Sequence, residues 1–150
     1  IFGGKGDYPP AMRKIFKERL PNFTAAESKL LNGSADFFGL NHYGTGWAEF
    51  ALEEGADSTY SKVTEGDWPF SFPQGQSTWL YGSGWGFRKL LNWVSKRYNS
   101  PDIYVTEAGW SLAAHDVKSG VGDPSRVAYY ANYTTSMLKA IKEDNVSVKG

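Results

Sequence analysis

Two short apolar runs, residues 36–43 and 103–107, end on polar side chains and are separated by one amphipathic period, and this alternation limits the possible folds most. Between them Phe87, Leu90, Leu91, Val94 and Tyr98 recur at i, i+3, i+4, i+7 and i+11. That spacing places five apolar side chains on one face of a helix over residues 86–98. A second helix follows the second run, with Val127, Tyr130, Thr134, Leu138 and Ile141 sharing a face, and Val146-Ser-Val-Lys-Gly150 reads as the start of another strand. Strands alternating with helices are joined by crossovers, which makes the sheet parallel. Alternation alone is met equally by an open doubly wound sheet and by a closed barrel.

Upstream, a Gly/Pro loop over residues 1–10 leads into a helical stretch over 11–19, with Met12, Ile15 and Phe16 on one face and Pro21 ending it. Thr24 and Glu27 have capping-box spacing, so a helix carrying Leu30 and Leu31 should begin there and stop at Gly33. Residues 44–84 hold nine Gly and Pro together with Trp47, Tyr60, Trp68, Trp79 and Tyr81. Connections longer than about 12–15 residues are usually functional or disordered, and the aromatic density argues for a functional loop. A polar loop leads through Asp123-Pro124 into the last helix.

Composition removes several classes of function. Sixteen Lys and Arg balance sixteen Asp and Glu, without the basic cluster that binding a phosphate backbone requires, so nucleic acid is not an expected partner. With no Cys and only His42 and His115, thiolate chemistry is excluded and a metal centre is not expected. No apolar run approaches the roughly 20 residues of a membrane helix. Ile1 opens neither a signal nor a transit peptide, and the chain starts and stops in mid-pattern, so residues 1–150 are expected to be one incomplete segment of a longer domain. Nucleotide binding is disfavoured, because Gly82-Ser-Gly84-Trp-Gly86 lacks the third glycine of the dinucleotide fingerprint and no P-loop is present.

The polar strand ends are the candidate site. Asn41 and Tyr43 close the first run and Glu107 the second, and active sites of parallel α/β folds are built at the C-terminal ends of strands. A carboxylate behind a buried strand is costly unless it is hydrogen bonded or used, although a surface or helix-capping role for Glu107 is the alternative. His42 lies between two site residues and, since strand neighbours alternate faces, should point away as a packing residue. Trp47 and Trp79 are open between core packing and a place facing a substrate cleft.

Five segments in order carry a family resemblance: Gly6-Asp-Tyr-Pro-Pro10, Arg19-Leu-Pro-Asn-Phe-Thr24, Gly33-Ser-Ala-Asp-Phe-Phe-Gly-Leu-Asn-His-Tyr43, Gly84-Trp-Gly-Phe-Arg-Lys-Leu-Leu91 and Ile103-Tyr-Val-Thr-Glu-Ala-Gly109. Together they resemble the C-terminal portion of family 1 glycoside hydrolases, the β-glucosidase type. The resemblance implies part of a (β/α)8 TIM barrel: about strands 6 and 7 with their helices, and the start of strand 8. It implies that Glu107, at the Glu of the family's T-E-N-G signature, is the catalytic nucleophile, and that Tyr43 of the N-x-Y pattern donates to it while Asn41 helps to order the sugar cavity. Ala108 stands where the signature has Asn, and His42 where the family commonly has a second Tyr.

The implied activity is retaining hydrolysis of a β-glucoside or short β-linked oligosaccharide, without a cofactor. Retaining glycosidases use two carboxyl groups roughly 5–5.5 Å apart. The partner acid lies in the family in a T-F-N-E-P type motif on the fourth strand, which these residues lack, so the remainder of the barrel should be needed for folding and activity. The rival class is a non-catalytic carbohydrate-binding or myrosinase-like barrel, distinguished by the residue at that acid position. Four N-x-[ST] sequons, at Asn22, Asn32, Asn132 and Asn145, suggest secretion. Local structure accounts for most of them, with Thr24 a cap, Ser34 in a Gly-Ser turn and Asn132 inside a helix, and the compartment stays unassigned.

Overall fold

The computed structural model describes residues 6–50, 60–62 and 69–150. They form α1 (Pro10–Phe16), a 3-10 turn (Lys17–Arg19), α2 (Ala25–Leu31), β1 (Phe38–Asn41), β2 (Ala48–Phe50), β3 (Tyr60–Lys62), α3 (Gly84–Arg97), β4 (Ile103–Glu107), α4 (Val117–Val121) and α5 (Pro124–Lys142). β1 and β4 pair in parallel, Phe38 opposite Ile103 and Leu40 opposite Val105, with a register shift at Leu40/Asn41 that brings Asn41 opposite Glu107. On the other side of β4, Val148 bridges Ile103 in parallel, and Ile103 N–H donates to Ser147 O at 2.8 Å while Val105 N–H donates to Gly150 O at 2.7 Å. The expected final strand is therefore begun, and the spatial order follows the chain order without reversal.

Both long helices cover the same face. Leu40 and Ile103 join Phe87, Leu91 and Val94 of α3, Tyr129, Tyr133 and Ala140 of α5, and Val146 in one core. On the strands, Gly39, Tyr104 and Thr106 are exposed. A doubly wound sheet would carry helices on both faces. One-sided cover over consecutive parallel strands is the arrangement of a (β/α)8 barrel wall, whose inner face looks into the barrel.

α3 follows its sequence period closely, with Phe87, Leu91 and Val94 buried and Ser83 capping it by accepting from Gly86 N–H at 3.0 Å. The Thr24–Glu27 capping box opens α2 as expected. The helical stretch expected over 11–19 is α1 followed by the 3-10 turn, the change falling at Lys17, whose φ is 47°. Three expectations need correction. In α5 the buried residues are Tyr129, Tyr133, Ser136 and Ala140, whereas Val127, Tyr130, Thr134, Leu138 and Ile141 are exposed. Close helix approach is the cause: a Cβ on Gly84 would collide with the side chains of Asn132 and Ser136, so small and amphipathic residues occupy the α3 contact. The polar loop before Asp123 contains α4, whose capping box Asp116–Ser119 orders it with no buried residue of its own. Finally, the segment 44–84 is not loop throughout, since β2 and β3 pair antiparallel, Ala48 with Lys62 and Phe50 with Tyr60. Strands of three residues are too short to show an alternating pattern. Trp68 lies outside the described residues.

A charged fork ties α3 to the segment after α5. Arg88 donates from Nε and Nη2 to Asp144 at 2.6 and 2.7 Å, and Asn92 Nδ2 adds a third bond at 2.6 Å. The Arg88 guanidinium, with help from Asn92, lowers the Asp144 pKa to about 2, while burial opposes the shift. A carboxylate whose folded-state pKa is depressed stabilises the fold above its unfolded value of roughly 4, and the contribution is lost as pH falls through the folded value. Asp144→Asn is therefore expected to lower Tm at neutral pH. Thermal melts should show the gap from wild type closing as the pH approaches about 2.

Candidate active site

The last rung between the two strands is His42 N–H donating to Glu107 O at 2.9 Å. Past that rung the strands present side chains rather than backbone to each other. Tyr43 Oη donates to Glu107 Oε2 at 2.7 Å, across 64 residues of sequence. One step down, Thr106 Oγ1 donates to Asn41 Oδ1 at 2.6 Å. The register shift at Leu40/Asn41 sets Asn41, rather than a residue one position further, opposite Glu107 at the end of β4. The Glu107 carboxylate raises the Tyr43 pKa above the ordinary phenol value, so the hydroxyl stays a donor across the neutral range.

His42 turns the other way, as strand alternation requires. Its ring stacks on Phe87 at 4.9 Å and lies 5.7 Å from Tyr133, and burial pushes its pKa down, leaving a neutral packing residue under the site. Trp47 and Trp79 both line a concavity next to Tyr43, together with Asn41, Thr45 and Tyr81. Trp79 is largely exposed and meets the Tyr43 ring edge-on at 6.1 Å. Trp47 is half-buried: its Nε1 donates to Phe70 O at 3.2 Å and its ring packs among Phe70, Phe72 and Trp85. One tryptophan thus offers an open face, whereas the other is partly committed to an aromatic cluster. The concavity has no carboxylate among its described lining residues.

Several contributors carry no signature in the sequence. Tyr43 O accepts from Tyr129 Oη at 2.9 Å and from Tyr133 Oη at 3.1 Å, both from α5. Tyr130 Oη donates to Ala108 O at 3.1 Å, beside the carboxylate. Ala108 itself is half-buried and packs against the core, so the position where the family signature has Asn is filled by a small apolar contact. Two glycines make the approach possible. A Cβ on Gly44 would sit 2.7 Å from Tyr81 O, and one on Gly109 would sit 3.3 Å from the Tyr43 ring. The spacing of Tyr129, Tyr130 and Tyr133 on one helix, set against the apolar stripe beside it, is the only sequence cue to this support.

Parallel strands with a carboxylate and a phenol meeting at their C-terminal ends, under one-sided helical cover, have the architecture of a barrel wall with polar groups gathered at one mouth. Comparison with known proteins gives the family: the sequence model of Glycosyl hydrolase family 1 matches residues 2–150, and the chain belongs to that family. Rice (Oryza sativa subsp. japonica) Beta-glucosidase 6 is 34% identical over 97% of this chain and 30% of its own length. The structure of beta-glucosidase 2 from the fungus Trichoderma reesei, in complex with Tris, superposes with a TM-score of 0.87 at 39% identity, covering 97% of this chain and 33% of that one. A mutant rice β-glucosidase in a covalent complex with glucose superposes at 0.86 with 35% identity, over 97% and 33% of the two chains. The chain thus spans about a third of the length of these relatives, and its fold is part of a (β/α)8 barrel.

Proposed function

We propose that the protein containing these residues is a retaining β-glucosidase, with Glu107 as the nucleophile and Tyr43 as the donor that holds it. The observation that supports this reading is the 2.7 Å bond from Tyr43 Oη to Glu107 Oε2 at adjacent strand ends, with Tyr43 itself lining a concavity that Trp79 borders. A Glu107 carboxylate oxygen forms a bond to the anomeric carbon of a β-D-glucoside as the bond to the leaving oxygen breaks. A partner carboxylic acid, supplied by the remainder of the barrel, gives its proton to that oxygen. Water, deprotonated by the same partner, then hydrolyses the glycosyl ester and frees Glu107. Tyr43 keeps the carboxylate oriented along this path, Asn41 is ordered by Thr106 at the cavity floor, and Trp79 offers a ring face to the sugar.

The relatives support the substrate class: they are named as β-glucosidases, and a rice member is described in a covalent complex with glucose. A mechanism-based 2-deoxy-2-fluoro-glucoside tests the assignment in the complete barrel protein. It should add one fluoroglucosyl mass to the peptide containing Glu107. A label on Glu49 or Glu143, or on Glu53, Glu65 or Asp67 outside the described residues, overturns the nucleophile. A non-catalytic carbohydrate-binding barrel would bind glucosides and take no label at all.

A further inference from the structure

The two halves of the candidate site come from different strands, and one buried hydroxyl bridges the backbones behind them. Tyr129 Oη donates to Tyr43 O at 2.9 Å and accepts from Gly109 N–H at 3.3 Å. It therefore links the residue that carries the phenol to the turn two residues beyond Glu107. We infer that Tyr129 is a positioning residue for the Tyr43–Glu107 pair, setting the separation of the two side chains from behind; this rests on the reading of Glu107 as the nucleophile.

The neighbouring tyrosines do not make that link. Tyr133 Oη donates to Tyr43 O and accepts from Ser83 N–H at 3.3 Å, which ties the phenol side to the cap of α3. Tyr130 Oη donates to Ala108 O, on the carboxylate side. Tyr129 alone, among the described residues, bonds the backbone on both sides. Its freedom to move is small: the ring is buried, it stacks on Tyr133 at 4.0 Å, and Trp110 packs on it at 5.3 Å. Both hydrogen-bonding roles of the hydroxyl are filled by backbone groups, so the distance between those groups is held by a rigid ring anchored in α5. A Cβ on Gly109 would meet the Tyr43 ring at 3.3 Å, so the turn and the phenol are close neighbours and a shift in that turn moves the phenol and the carboxylate relative to each other.

Tyr129→Phe keeps the ring and its stacking and removes the bridge. In the complete enzyme kcat is expected to fall about tenfold, because sub-ångström misplacement of reacting groups carries costs of that order, while KM stays nearly constant. The decisive measurement is the double-mutant cycle with Tyr43→Phe. If Tyr129 acts through the pair, Y129F loses most of its effect on kcat in the Y43F background. Equal effects in both backgrounds, or a loss expressed in KM alone, overturn the inference. Should Y129F not fold, a fluorinated tyrosine installed at position 129 preserves shape while changing hydroxyl donor strength, and an unaltered kcat then overturns it. An enzyme that neither turns over nor labels refutes the nucleophile reading instead. The positioning inference is then read from the alkaline ultraviolet titration of Tyr43, identified by its loss in Y43F. Y129F should move that titration down toward the ordinary tyrosine range, and an unmoved titration refutes the bridge.

Discussion

Glu107→Gln in the complete barrel protein is expected to abolish glucoside turnover, by a factor on the order of 10⁴–10⁶, as removal of a covalent nucleophile does elsewhere. The substitution changes charge and nucleophilicity with little change in shape. Gln retains a carbonyl oxygen, so the Tyr43 hydroxyl still has an acceptor where it now bonds Oε2 at 2.7 Å. The concavity bounded by Asn41, Trp47 and Trp79 takes none of its described lining from Glu107, so binding of a glucose-type inhibitor should persist. Steady-state kinetics and inhibitor calorimetry on the same preparation separate the two quantities. Loss of both together would mean that Glu107 shapes the cavity rather than reacts. Tyr43→Phe should give a smaller loss of kcat, since it leaves the carboxylate in place and removes only the donor that orients it.

What could be read from the residues in order was whatever rests on one element at a time. The α3 face led by Phe87, Leu91 and Val94 shows itself by period, because large aliphatic and aromatic side chains with no polar atoms are buried there. β4 shows itself by its β-branched and aromatic run ending on a carboxylate, and His42 by alternation alone. The site was legible only to the extent that a strand end is a site: the family pattern marks Asn41, Tyr43 and Glu107, and the geometry brings the last two into contact. What escaped depends on pairing across distance. The buried face of α5 was hidden because Tyr129 and Tyr133 are amphipathic and Ser136 is polar, whereas Val127 and Leu138 make the more apolar but exposed stripe. The hydroxyls that hold Tyr43 O come from 86 and 90 residues away, and no local spacing announces a bond to a backbone carbonyl.

Expressed by itself, this 150-residue chain is expected to show no turnover of cellobiose and to associate in solution. The chemical reason is the leaving group. An alkoxide departs poorly without a proton, and a positioned general acid contributes roughly 10²–10⁴-fold; the concavity next to Tyr43 has no such acid among its described lining residues. The physical reason lies in surfaces built to be covered. Gly39, Tyr104 and Thr106 on the strands stand exposed, as do Val127, Leu138 and Ile141 on α5 and Trp85 and Trp93 on α3. Among the described residues β1 pairs on one side only, with β4, and an unpaired parallel edge beside exposed apolar side chains favours pairing between chains. Size-exclusion chromatography with light scattering should therefore report oligomers, and co-expression with the remainder of the barrel should return a soluble, active complex. A monodisperse monomer that hydrolyses cellobiose would place an acid of this chain beside Glu107, with Glu49 and, outside the described residues, Glu53 and Asp67 the first to substitute. Cellobiose is the substrate of choice because its sugar alkoxide demands the missing proton, whereas a nitrophenolate leaves without one and would conceal the difference.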